Sequence, residues 1–413
     1  MSGSKRFATF LLAACGMFTI GVSISASAGV TDQVIHTFAI PPDGAFPLTK
    51  PLYLRGNFYG TTSSGGGGCN CGTVYELTPS ASGWTYQTIY TFKGSSDGLV
   101  PLGNLVADAS GNIYGVTGSG GGFSMGTVWE LSAGSGGKWT HKVIYALGEA
   151  NNDGSEPDAG LIIDAAGNLY GTTFSGGANT FEGTVYELSL GSNGLWNEDI
   201  LHSFSGPDGY GPQAEVIMDK KGNLYGTTKS GGTNSDGVVF KMTPSSGGAW
   251  TETVLYNFTG GADQGFPEAP VWIDANGNLY GTTIGTENNV LFGTVYELTR
   301  GSGGVFTETT LHTFVQDGVD GEVPAGGLTF DGKGNLYGTT SKGGVDFAGT
   351  VYQLTRKTGG TWNYDVFYAF PSGAKGGNPS TAVTLAGGLL FGATSGGIDN
   401  GNTGAQVFYE IKP

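Results

Sequence analysis

Seven copies of one heptapeptide, Gly-Asn-(Leu/Ile/Phe)-Tyr-Gly-(Thr/Val)-Thr, govern what this chain can fold into. Six start at Gly56, Gly111, Gly167, Gly222, Gly277 and Gly334, and a worn copy, Gly-Leu-Leu-Phe-Gly-Ala-Thr, starts at Gly388. Their spacings of 55, 56, 55, 55, 57 and 54 residues are nearly constant. A fixed period near that length, built from short apolar runs between Gly-rich turns, is the signature of a β-propeller or a related array. Gly (78 of 413 residues) and Pro (16) would otherwise suggest disorder. Here they recur with the period, which makes them turn chemistry.

Each copy reads as four period-2 segments. In the copy from Pro267 to Phe314 the first is Ala269-Pro270-Val271-Trp272-Ile273-Asp274. An Asp-x-x-Gly-Asn turn follows, at Asp108, Asp164, Asp219, Asp274 and Asp331. Asp accepts backbone hydrogen bonds in such turns and Gly takes positive φ, whereas one carboxylate per turn is too few for a calcium shell. The heptapeptide is the second strand, and its internal Gly would let a neighbouring sheet approach closely. Gly-Thr-Val-Tyr-Glu-Leu at Gly72, Gly183 and Gly293 is the third, with variants at Gly126, Gly237, Gly349 and Gln406. The fourth starts at an aromatic residue (Trp84, Trp139, Trp196, Trp250, Phe306, Trp362) and ends as in Leu255-Tyr256-Asn257-Phe258.

The last copy stops at Glu410-Ile411-Lys412-Pro413 without a fourth strand, while Asp32-Gln33-Val34-Ile35-His36-Thr37-Phe38 precedes the first copy and matches Glu308–Phe314 in pattern. The expected fold is therefore all-β: a seven-bladed β-propeller of four-stranded antiparallel blades, residues 29–413 forming one domain, with the N-terminal strand completing the last blade. Closure of that kind removes the edges an open array would expose.

Residues 1–28 stand outside the repeat. Lys5 and Arg6, an apolar stretch from Phe7 to Ile24, and Ala26-Ser27-Ala28 read as a secretory signal peptide cleaved before Gly29. Two alternatives stay open: a lipoprotein acylated at Cys15, and an uncleaved anchor. No other apolar run has the length of a membrane span. The expectation is a secreted, periplasmic or extracellular monomer. With 34 Asp and Glu against 18 Lys and Arg, the formal charge is −16, which disfavours nucleic acid and anionic lipid as partners. Cys69 and Cys71, in Cys-Asn-Cys, are candidates for a local disulfide, for free or intermolecular thiols, or for a metal site that would need further ligands.

With the first strand innermost, the loops from fourth to first and from second to third strands share one face, which is where function is expected. They carry Asp-x-x-x-Pro at Asp43, Asp97, Asp153, Asp208, Asp263 and Asp320, with Lys375 in the seventh copy. Six equivalent carboxylates would make an acidic collar able to attract cations, calcium included; equally, Asp would start the turn while Pro fixes the strand. Phe174, Phe181, Phe266, Phe292 and Phe347 fall in or beside these loops, placed either to stack on a ligand or to pack between loops. His36, His202 and His312 take the fourth-strand slot of Tyr90, Tyr145 and Tyr256, and His141 lies in such a strand, so none reads as a metal ligand or general base. Glu76, Glu130, Glu187, Glu297 and Glu410 follow the repeat, with Lys241 and Gln353 in the same slot, whereas a catalytic pair should break it. No catalytic residue and no cofactor is expected.

The succession Gly-Asn-Leu-Tyr-Gly-Thr-Thr, Gly-Thr-Val-Tyr-Glu-Leu and Trp-Thr-Glu-Thr-Val-Leu-Tyr-Asn-Phe resembles the GloVer tandem repeat of exported bacterial proteins, which carry varied C-terminal surface anchors. The resemblance covers essentially the whole chain after residue 28 and implies export without implying an activity. Leu-x-x-Asp-x-x-Gly-Asn-Leu-Tyr is more distantly similar to NHL-type propeller repeats, a likeness of fold only. The functional expectation is a secreted, non-enzymatic module that binds a protein or glycan through its loop face. The alternatives are a propeller enzyme of the lactonase, lyase or quinoprotein sort with its site at the channel mouth, and a structural envelope or matrix component.

Overall fold

The computed structural model describes residues 30–39, 42–149, 152–178, 181–285, 292–371, 373–396 and 405–412, with the backbone of 398–399 and 402–403. The signal-peptide and Cys15 readings fall outside the described residues. Among these residues the chain forms seven four-stranded antiparallel sheets, each with its strands in sequence order from the centre outward, except the last. Blade 1 comprises Leu52–Leu54, Asn57–Thr62, Thr73–Ser80 and Gly83–Thr91. Blades 2 to 6 follow over 99–146, 162–203, 217–257, 272–313 and 329–369. Blade 7 takes Thr384–Ala386, Leu389–Thr394 and Val407–Lys412 from the end of the chain and Thr31–Thr37 from its beginning.

The closing pair runs antiparallel from Thr31 opposite Lys412 to Thr37 opposite Val407, as the repeat pattern requires. It even reproduces a defect. In every other blade one residue of the fourth strand bulges, for instance Leu201, because Val185 pairs with His202 and Tyr186 with Ile200. In blade 7 Ile35 is skipped in the same way, with Val34 opposite Tyr409 and His36 opposite Phe408. A bulge bends its strand and re-aims the side chains beyond it. Here the re-aimed residue is the Tyr or His at the blade edge.

Third strands are covered on both faces, as in Thr184–Leu190, where Thr184, Val185, Tyr186 and Leu188 are all buried. The core is accordingly divided into wedges shared by adjacent blades. Tyr114, Val116 and Val128 of blade 2 pack on Leu161, Leu169, Tyr186 and Leu188 of blade 3. Phe38, Phe391 and Phe408 of blade 7 pack on Phe58, Tyr75 and Leu77 of blade 1. The Gly of the heptapeptide has a different use from close sheet approach. Gly281 pairs with Tyr296 of its own blade, and a Cβ on it would lie 2.3 Å from the Tyr296 hydroxyl. The missing side chain is the space in which the cross-strand ring lies.

In the Asp-x-x-Gly-Asn turns, Asp274 Oδ1 accepts the Asn276 and Asn278 amides at 2.8 Å, and Oδ2 accepts the Asn278 side chain at 3.0 Å. Cys69 and Cys71 are joined as a disulfide.

Deleting residues 30–39 removes an outer strand and the Phe38 ring from a shared wedge. Since burying one such ring is worth about 3–5 kcal/mol, the whole ring should melt earlier in a single transition. Calorimetry that returns an unchanged melting temperature for the deletion would reject this closure.

Candidate functional site

The loops entering first strands and those leaving second strands do lie together. Gly154–Ser155 pairs with Ser175–Gly176, Gly321–Glu322 with Lys342–Gly343, and single bridges join Ala45 to Ser64 and Tyr210 to Ser230. Two different constellations occupy this face: an outer ring of joints between blades, and the mouth of the central channel.

The joints account for the Asp-x-x-x-Pro residues. Each combines a fourth-strand Tyr or His, the following loop residue, and a fourth-strand side chain of the next blade. Between blades 7 and 1, His36 Nε2 lies 3.2 Å from Asp43 and its ring stacks on Tyr86 with centroids 3.9 Å apart. Between blades 1 and 2, the Tyr90 hydroxyl donates to Asp97 at 2.8 Å, and His141 Nδ1 lies 3.1 Å from the same carboxylate. Between blades 2 and 3, the Tyr145 hydroxyl lies 3.2 Å from Asp153 and 3.0 Å from Glu198.

His202 and Asp208 are 2.9 Å apart at the next joint, beside Glu252. Tyr256 donates to Asp263 at 2.9 Å, with Glu308 of blade 5 nearby. His312 meets Asp320 at 2.9 Å and stacks on Tyr364, whose hydroxyl donates to Asp320. At the seventh joint the charges are exchanged. Lys375 replaces the loop Asp, and Asp32 of the closing strand supplies the carboxylate 3.0 Å away, next to Tyr368. The six loop carboxylates are thus distributed one per joint, each held by its own neighbours.

Burial in these joints raises carboxyl pKa values. Glu198 is pushed up to about 9, first by burial and then by the charge of Asp153. Glu252 is pushed up to about 7 by burial and Asp208. The turn residue Asp219 behaves oppositely: burial pushes it up, but hydrogen bonds from Asn223 and Lys221 hold it below the usual range.

The channel mouth is a cavity of about 170 Å³ lined by residues of all seven blades. Its walls are the residues just after the repeat Pro. One position on stand Leu48, Leu102, Asp158, Gln213, Glu268, Ala325 and Ser380; three positions on stand Lys50, Asn104, Gly160, Glu215, Pro270, Gly327 and Ala382. The first strand of blade 2 is irregular between Leu102 and Val106, and Gly103 has φ +65°. That irregularity brings Asn104 close to blade 3, where a Cβ on Gly160 would lie 2.5 Å from the Asn104 nitrogen. Asn104 therefore bridges. Its Oδ1 accepts the Lys50 backbone amide at 2.8 Å and its Nδ2 donates to Glu215 at 2.7 Å.

Burial lowers the Lys50 pKa, with the charge of Glu215 opposing, and Lys50 Nζ reaches Thr329 at 3.4 Å. Asp158 is pushed up to about 6 by burial and by Glu156. Glu268 is paired with Lys229 at 2.7 Å. The arrangement is an ammonium, three carboxyl groups and two amides around a small well, suited to hold a polar ligand and to exchange protons with it. Repeat analysis misses Lys50, Asn104, Asp158 and Glu215 because it seeks recurring residues. The available signal is the reverse, two variable positions beside an invariant Pro.

Exposed apolar side chains collect on the joining loops of this face: Phe46, Phe123, Met125, Phe181, Val315, Val345 and Phe347. Of the five sequence candidates, Phe181 and Phe347 are exposed and Phe266 is half-buried, whereas Phe292 packs against the wedge of blades 5 and 6 and Phe174 lies against Tyr210. No helix of the described residues is long and apolar enough to cross a membrane.

Fold and site together define a seven-bladed propeller with stitched outer strands and an asymmetric polar well. The chain belongs to the Gloeobacter/Verrucomicrobia repeat family, whose profile matches residues 16–213, 136–330 and 181–409. No curated protein sequence matches it. Among solved structures it is similar to the extracellular domain of a hybrid two-component system of B. thetaiotaomicron, with TM-score 0.55, 11% identity, and coverage of 93% of this chain and 42% of that one. It is also similar to a puromycin-hydrolyzing peptidase of Mycobacterium tuberculosis, with TM-score 0.51, 10% identity, and coverage of 87% and 52%. The chain spans about half or less of these neighbours, and at such identity the likeness is one of fold.

The joint pKa values fix the direction of a pH effect. A carboxyl whose folded pKa is raised favours the native state while protonated, so the contribution of Glu198 is complete below about 4.5 and is lost as pH rises towards about 9. Glu198→Gln should match the parent at pH 4.5 and exceed it at pH 9 by about 1–3 kcal/mol, a few degrees in Tm. Thermal melts that run parallel across pH for the two proteins would contradict the assignment.

Proposed function

We propose that the protein is an exported, non-enzymatic binding module that engages a protein or glycan through its joining-loop face, with a cationic group of the partner seated in the channel mouth. The observation that carries this reading is the position of the symmetry breaks. The heptapeptide, the turns and the third strands repeat, yet no two blades present the same pair of residues at the two channel-facing positions. Scaffold needs would have kept them alike. Carboxylates outnumber ammonium groups there, since Asp158, Glu215 and Glu268 line the well with Lys50. A partner's amine beside Asp158 would favour the charged form of a carboxyl whose pKa is raised by burial and by Glu156.

The exposed Phe and Val side chains of the joining loops supply apolar contact on the same face, in the common pattern of a few anchoring side chains with polar groups for specificity. The loop carboxylates from Asp43 to Asp320 add acidic field on the same face, consistent with the formal charge of −16. Export rests on residues 1–28, with cleavage before Gly29.

One observation favours an enzymatic alternative of lactonase or lyase type: Lys50, lowered by burial, shares a cavity with Asp158, raised to about 6. Separated pKa values of that kind suit a base and an acid. An experiment on residues 29–413 distinguishes the two. On glycan and cell-surface protein arrays, a ligand should appear whose affinity falls about tenfold or more in Asp158→Asn and in Phe347→Ala. Blank arrays, together with hydrolase or lyase turnover that disappears in Lys50→Met, would replace binding by catalysis.

A further inference from the structure

The joint between blades 3 and 4 differs from the other six in a way that packing does not demand. Its three positions hold His202, Asp208 and Glu252, whose ligand atoms all lie within 4.8 Å of one another. At the other joints that bring a fourth-strand His from the preceding blade, the third position is a Tyr stacked flat on the imidazole, Tyr86 on His36 and Tyr364 on His312. At the joints that hold a second carboxyl, Glu198 or Glu308, the first position is Tyr145 or Tyr256, whose hydroxyl donates to the loop Asp. Among the described residues, this joint alone gathers an imidazole and two carboxylates.

We propose that His202, Asp208 and Glu252 bind a divalent transition metal of the zinc class. One imidazole nitrogen with two carboxylate oxygens suits zinc, which takes three protein ligands and leaves a fourth position to water or another group. Calcium would want six to eight oxygens, more than this joint offers. Asp208 is already oriented. Its Oδ1 accepts the Ser205 amide at 2.8 Å and the Ser205 hydroxyl at 3.0 Å, which turns Oδ2 towards His202 Nε2 at 2.9 Å.

Such outer hydrogen bonds fix the ligand geometry of metal sites. Glu252 supplies a second, independent sign, because its buried Oε1 accepts no hydrogen bond from the protein. Two acids face each other there with only a neutral-capable imidazole between them, an arrangement that a divalent cation satisfies. The side chains of His202 and Asp208 are 21% and 22% exposed, so an ion can enter and keep a solvent ligand. Closing a span of 4.8 Å onto bonds of about 2.0–2.2 Å needs only small side-chain adjustments.

The chain contains its own controls. His202→Tyr recreates the Tyr-Asp-Glu joint found at Tyr256, Asp263 and Glu308, and Glu252→Gln keeps the shape while removing the charge. After chelation and dialysis, the full chain should bind one equivalent of zinc by calorimetry and melt at a higher temperature with zinc present. Each variant should weaken that binding by at least about 10–100-fold, the loss caused even by removing outer partners of a metal site. Absence of zinc-dependent heat in the parent protein, equal zinc affinity in folded His202→Tyr and Glu252→Gln, or a response to calcium in place of zinc would each overturn the proposal.

Discussion

Antiparallel pairing of Thr31–Thr37 with Val407–Lys412 is the constraint on which the remaining structure rests. Every hydrophobic wedge needs two blades to cover it, so a row of blades would leave one apolar face bare at each end. Bending the row into a ring makes the faces of blades 1 and 7 cover one another, with Phe38 and Phe408 against Phe58 and Tyr75. The ring persists only if its last blade is as wide as the others, and the width is completed by Thr31–Thr37, which precede every other blade strand in sequence. Long-range pairing of this kind makes the fold cooperative, because the beginning and end of the chain share one sheet.

The bulge in each fourth strand connects this closure to chemistry. Skipping one residue, such as Ile35 or Leu201, turns the following His36 or His202 towards the loop carboxylate. The joint therefore forms only when the strand has paired in register. Variation within the joints then follows electrostatic bookkeeping: where Lys375 stands in place of Asp, the carboxylate returns as Asp32 on the neighbouring strand. A Lys–Asp ion pair thus stands where other joints set the loop Asp beside Tyr, His or a second carboxyl, so the position accepts more than one residue type.

Much of the architecture was legible because it repeats. The heptapeptide spacing yields seven blades, and the orphan segment Asp32–Phe38 yields the closure. The turn role of Asp274 follows from Asp-x-x-Gly-Asn, whose hydrogen bonds to Asn276 and Asn278 are local in sequence. The use of Gly281 was not legible, since the ring that fills its space belongs to Tyr296, fifteen positions on and placed by register. Nor were the joints: Asp97, in the loop after blade 1, meets His141 of the outer strand of blade 2, a contact between segments far apart in sequence. The channel well escaped for a different reason. Asn104 and Glu215 are brought together by ring curvature and by an irregular strand, and no linear motif encodes either.

The distribution of symmetry breaks around the ring gives the well a direction. Blades 1 to 5 supply its charged and amide side chains, Lys50, Asn104, Asp158, Gln213, Glu215 and Glu268, whereas blades 6 and 7 line it with Ala325, Gly326, Gly327, Ser380, Thr381 and Ala382. Five of the seven blades therefore present charged or amide groups to the mouth, and the remaining two present none. The unusual joint of His202, Asp208 and Glu252 lies between blades 3 and 4, and the exchanged joint of Lys375 and Asp32 between blades 6 and 7. Departures from the repeat thus gather at the channel and at the joints, the pattern expected when closure fixes the frame and leaves inner and outer edges free to diverge.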